Sequence, residues 1–140
     1  MLSKTGTHAL RAVIALAELP HGEFAGAAAI AAEIKAPRNY LGKLLQQLAH
    51  AGIVESQKGM GGGFRLARLP ETISLFDVVD PIDHIDRWTG CLLGQDRCAD
   101  GNACALHHRW KTVRDAYIQM LKETRISDLI HQDLPLVLSG

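Results

Sequence analysis

Aromatic residues are scarce in this 140-residue chain: two Trp, two Tyr and three Phe. Ala, Leu and Ile supply most of the apolar mass, a balance that favours helices over extended sheet. No run approaches the eighteen or so apolar residues of a membrane span. The N-terminal stretch is broken by His8, Arg11 and Glu18, so it does not read as a signal peptide. A cytosolic, soluble protein with no membrane partner is expected. Acidic residues are nearly missing between Lys35 and Arg68, where six basic residues meet only Glu55. The net charge of zero therefore conceals a basic first half and an acidic second half. A basic face inside a neutral protein suits a module that contacts phosphates. A fourth cysteine is also missing. Cys91, Cys98 and Cys104 fall within fourteen residues, and an odd number without an export signal argues against a disulfide framework. No Ser-His-Asp or Cys-His pattern supports catalysis, so no enzyme is expected.

Periodicity supplies the elements. Leu10, Val13, Ile14 and Ala17 mark one face of a helix over Thr7–Leu19, ended by Pro20-His21-Gly22. A second helix is predicted from Ala27 to Ile34, and a third from Pro37 to His50 with Pro37 at its first position. Leu41, Leu44, Leu45 and Leu48 form the inward stripe of the third helix. Asn39, Lys43, Gln46 and His50 line a polar stripe, with Arg38 and Gln47 beside it. Two short β-prone runs, 53–56 and 64–67, flank a glycine-rich turn that contains Lys58, Gly61 and Gly62. Helix, helix, short turn, helix, hairpin is the order of a winged helix-turn-helix.

The fold expectation is mainly α: a winged helix-turn-helix domain over 1–80, a cysteine-bearing loop over 81–105, and a dimerisation helix and tail over 106–140. A short helix is expected over Leu75–Val79, a long one over 107–123 and a last short one over 127–130. Leu106, Trp110, Val113, Tyr117 and Met120 are spaced four, three, four, three, an a/d seam for pairing with a second helix or for docking on the chain's own core.

The chemistry of the third helix suits DNA. Amides of Asn39, Gln46 and Gln47 can pair with adenine, and Arg38 and Lys43 with guanine or phosphate. Lys58 and Arg65 add charge at the two ends of the glycine turn, where bare backbone can approach phosphates. The interval Cys91-x6-Cys98-x5-Cys104 is wider than the Cys-x2-Cys knuckle of most structural zinc sites. It suits an iron–sulfur cluster held by thiolates, with Cys3His zinc as the rival. A fourth ligand is needed. His107 follows Cys104 by three residues, and His108, His84, His8 and several Asp residues are also available.

An ordered set of motifs then carries a family resemblance from Leu2 to about Ile130. It comprises Leu10-Arg11-Ala12, Arg38-Asn39-Tyr40-Leu41, Gly52-Ile53-Val54, the run from Gly59 to Ala67, Pro70, Ile73, Asp77-Val78-Val79, and the three cysteines ahead of a long helix. The chain resembles the Rrf2 family of regulators, which includes IscR, NsrR and RirA. The resemblance implies a homodimer on a palindromic double-stranded operator, with Arg38, Asn39, Tyr40, Lys43, Gln46, Gln47, Lys58, Gly61, Gly62 and Arg65 at the DNA. It implies a [2Fe–2S] or [4Fe–4S] cluster that tunes DNA affinity, in a repressor answering to redox, iron or nitric oxide status. IscR-like members ligate through three cysteines and a histidine at the position of His107. NsrR-like members borrow an acidic residue from the first helix of the partner subunit, where this chain has His8. The first cysteine interval here is one residue longer than in either. A DNA-binding regulator with zinc-bound or directly oxidised thiols is the second reading, and a small iron–sulfur electron carrier the third.

Overall fold

The computed structural model describes residues 2–85 and 106–130. Helix α1 spans Lys4–Ala17, α2 Ala27–Ile34 and α3 Arg38–His50. Strands β1 (Val54–Gln57) and β2 (Gly63–Leu66) form an antiparallel hairpin, with Val54 opposite Leu66 and Gln57 opposite Gly63. A 3-10 turn at Pro70–Thr72 leads into α4 (Leu75–Asp83). Beyond the undescribed stretch, α5 runs from His107 to Glu123, and a second 3-10 turn covers Ile126–Leu129.

Each boundary has a local cause. Ser3 caps α1, its hydroxyl accepting from the Gly6 amide at 2.9 Å, so the helix begins three residues before the expected Thr7. Pro37 is extended and serves as the N-cap of α3, not as its first helical residue. Gly52, in the left-handed region, closes α3 as a Schellman motif: its amide donates to Ala49, and that of Ile53 to Leu48. Ser74 and Asp77 form a capping box on α4. That helix tolerates Pro81 and continues to Asp83, so residue 80 lies inside an element and not between two.

The core is one cluster. Ala9, Ala12, Val13 and Leu16 of α1 meet Ile30 and Ile34 of α2, the four leucines of α3, and Val78 and Val79 of α4. All four leucines of the α3 stripe are at most 1 % exposed, as their spacing predicts. The segment after α5 pairs with the one before α4: the Leu75 amide donates to Thr124 at 2.9 Å and the Ile126 amide to Ile73 at 2.9 Å. Leu121 and Ile126 are thereby buried in the same core. No helix among the described residues is long and apolar enough to cross a membrane.

Candidate nucleic-acid interface

With one face of α3 fixed in the core, the helical period leaves the opposite face in solvent. Arg38, Asn39, Lys43, Gln46, Gln47 and His50 are all exposed. The stripe expected from sequence is thus a continuous row of amides and cations on one helix. The short turn before it is set by Lys35, whose left-handed backbone ends α2 and redirects the chain into Pro37.

Tyr40 behaves differently from its neighbours. It is half-buried, and its hydroxyl lies 3.1 Å from Nδ1 of His8 in α1, with the two rings edge to face. His8 is 7 % exposed. Burial, reinforced by the charges of Arg11 and Lys4, holds its pKa below the usual value, so the ring is neutral near pH 7. Arg11, one turn along α1, has a buried Nη1 with no hydrogen-bond partner among the described residues.

The hairpin is braced at its base and bare at its tip. Arg65 donates to Glu55 at 2.5 Å and to the Gly22 carbonyl at 3.3 Å, and its guanidinium sits 4.4 Å from the centre of the Phe24 ring. Phe64 and Ala25 exchange two backbone hydrogen bonds, 2.7 and 2.9 Å, adding a bridge to the hairpin edge. That bridge needs Gly63: a Cβ there would lie 2.4 Å from the Ala25 carbonyl oxygen. At the other end Lys58, Met60 and Gly61 are exposed, and Gly62 is half-buried. Sequence reading placed Arg65 and Lys58 together as cations for phosphate. The structure gives Arg65 intramolecular acceptors, while Lys58 lies exposed at the foot of the turn.

Cys91, Cys98 and Cys104 lie outside the described residues. His107 and His108 open α5 with their rings 5.2 Å apart, His107 half-buried and His108 exposed. His84, left-handed, ends α4. Among the described residues no three His, Cys, Asp or Glu side chains converge as a metal site.

Two contacts had no local signal in the sequence. Asp83, at the end of α4, accepts from the Ser3 amide at 3.0 Å and from its hydroxyl at 2.5 Å, tying the start of α1 to the edge of the cysteine-bearing segment. Gly6 makes room for that carboxylate, since a Cβ would lie 2.6 Å from it. A glycine in the first turn of an alanine-rich helix is a detectable oddity; its carboxylate neighbour is not.

Comparison with known proteins agrees with this geometry. The model of the Rrf2 family, described as iron-dependent transcriptional regulators, matches residues 2–132. A putative HTH-type transcriptional regulator of Aquifex aeolicus is 34 % identical over 99 residues, 69 % of each chain. CymR, the global cysteine regulator of B. subtilis, superposes with a TM-score of 0.76 at 25 % identity, covering 92 % of this chain and 95 % of that one. IscR of T. potens shares the fold, with a TM-score of 0.74 at 22 % identity, over 92 % of this chain and 85 % of that one. With a mostly helical winged fold, an exposed amide-rich third helix and a family match across nearly its whole length, the chain belongs to the Rrf2 family and is a DNA-binding transcriptional regulator.

Proposed function

We propose that this regulator is a cytoplasmic homodimeric repressor whose affinity for a palindromic operator is set by an iron–sulfur cluster on Cys91, Cys98 and Cys104. In this reading Arg38, Asn39, Lys43, Gln46 and Gln47 enter the major groove, and Lys58, Gly61 and Gly62 meet the backbone. Tyr40 and Arg65, held by His8 and Glu55, chiefly position the helix and the wing.

The observation that carries the cluster is the donor set around the cysteine-bearing segment. Three thiols within fourteen residues lead directly into α5, and its first residue is the half-buried imidazole of His107. Three thiolates and an imidazole fit an iron–sulfur cluster. The family includes IscR, which binds such clusters. The buried, unpartnered Nη1 of Arg11 supports an anionic group packed near α1, as a thiolate-ligated cluster would be. His107 is the preferred fourth ligand over His8 of a partner subunit, because His8 is 7 % exposed and its Nδ1 is engaged by Tyr40. The cluster would supply a redox- and iron-sensitive tie on residues 81–105; [2Fe–2S] is favoured over [4Fe–4S].

A dimer is supported by α5. Leu106, Val113 and Met120, seven residues apart, are 37, 53 and 47 % exposed and form one apolar stripe. A second reading, direct thiol chemistry without a cluster, is favoured by the likeness to CymR, a cysteine regulator. Anaerobic purification followed by a visible spectrum and iron and sulfide analysis separates the two. The cluster reading expects iron and sulfide in equal amounts, lost in each Cys→Ser variant and released faster by chelators in His107→Ala than in His8→Ala. Colourless, sulfide-free protein would favour the thiol reading.

A further inference from the structure

Between Gln57 and Phe64 the chain reads Lys-Gly-Met-Gly-Gly-Gly, so Met60 is the sole side chain beyond hydrogen in five consecutive residues. The Gly62 amide donates to the Gly59 carbonyl at 3.1 Å, and Gly61 has φ +74° at the third position, the pattern of a type II turn. Met60 stands at the second position and is fully exposed. The turn is closed tightly behind it: a Cβ on Gly62 would lie 2.2 Å from the Gln57 carbonyl oxygen. The Arg65 contacts and the Phe64–Ala25 bridge hold the hairpin base, so this apex projects from a fixed support.

We propose that Met60 determines sequence preference at the wing, entering the DNA minor groove as an apolar probe that favours A·T over G·C pairs. The inference rests on the DNA-binding role of the chain and adds a reading residue to it. The minor groove is about 6 Å wide, too narrow for a hairpin thick with side chains, and its pairs differ mainly by the guanine N2 amino group on the floor. An apex of bare backbone fits that width. An unbranched thioether can follow the groove floor, and methionine is among the apolar side chains that minor-groove binders insert. Against a G·C pair the amino group would meet an apolar chain and lose its water without gaining an acceptor. Lys58, at the foot of the turn, adds attraction to the phosphates and carries no base preference.

The test uses full-length protein and duplexes that the wild type selects from a random-sequence library. A·T pairs flanking each half-site are replaced by inosine·C, which keeps the A·T minor groove but presents a G·C-like major groove, or by G·C. Wild type is expected to bind the A·T and inosine·C duplexes alike and the G·C duplex about tenfold more weakly. Met60→Ala should reduce that ratio to about twofold or less, and Met60→Leu should retain it. Lys58→Ala should weaken all three duplexes equally. A Met60→Ala variant with the wild-type ratio would overturn the proposal, as would a wild type that rejects inosine·C as strongly as G·C. A wild type that selects no duplex would overturn the DNA-binding reading and this one with it.

Discussion

Helices α3 and α5 are close in length, yet the chain treats them in opposite ways. Of thirteen residues in α3, four leucines are buried and the exposed side is polar. Of seventeen in α5, only Leu121 is buried, and the exposed side includes Val113 and Met120. The first helix is finished within its own domain; its free face has chemistry for a polar ligand. The second is anchored toward its C-terminal end, by Leu121 with Tyr117 and Ile118 against the core and by the backbone bonds of Thr124 with Leu75 and of Ile126 with Ile73, and it leaves Val113 and Met120 as apolar surface. Position in the core therefore separates a helix whose free face is polar from one whose free face keeps apolar residues.

Leu45→Ala should break this contrast most severely. Leu45 is fully buried, and its truncation should cost about 2–5 kcal/mol in chemical denaturation. Met120→Ala, removing a comparable side chain from a half-exposed site, should cost less than about 0.5 kcal/mol per monomer. Similar losses at both positions would mean that the Met120 side of α5, and not Leu121 alone, is built into the monomer core. Val113→Asp comes next. It leaves the monomer folded but places a charge in the apolar stripe, so sedimentation should show the dimer weakened by at least about 2 kcal/mol. An unchanged association constant would leave the stripe without a role in pairing.

Much of this division was legible in the sequence because it rests on periodicity. The limits of α2 and α5 follow from apolar spacing and agree with the structure, as does the two-faced character of α3. What escaped was long-range. Tyr40 stands in sequence among the residues expected to contact DNA, but its hydroxyl is engaged 32 positions away by His8, and no local pattern announces such a partner. Arg65 alternates with apolar neighbours as any exposed strand residue would; only the fold brings Glu55, Gly22 and Phe24 to it. Helix α4 runs past the expected Leu75–Val79, through Pro81 to Asp83, and the Ser3 partner that Asp83 meets there is one no local pattern announces. The cysteine-bearing segment was legible as chemistry alone, and Cys91, Cys98 and Cys104 lie outside the described residues.

The link between α1 and α3 sharpens the comparison at smaller cost. Tyr40→Phe removes a hydroxyl and leaves His8 Nδ1 without its partner in a buried site. About 1–3 kcal/mol of stability should be lost, with a shifted rather than abolished DNA preference. The smallest effect is that of pH. The folded-state pKa of His8 lies below the unfolded value of about 6.5, so the unfolded chain takes up the proton first as pH falls. His8 therefore costs nothing above that value, and stability is lost on acidification from about pH 6.5 down through the folded pKa. Urea midpoints at pH 7.5 and 5.5 should show a drop in the wild type that is shallower in His8→Gln. An equal drop would place the acid sensitivity elsewhere.

The most direct measurement for the account as a whole is DNA affinity with and without the cluster, on one duplex selected by the anaerobically purified protein and at one salt concentration. Cluster-loaded and chelator-stripped protein should differ by about tenfold or more, a coupling of roughly 1.4 kcal/mol. The Cys104→Ser variant should match the stripped form under both treatments. Equal affinities for loaded and stripped protein, with the dimer intact in each, would contradict a regulator governed by its thiolate-bound cluster.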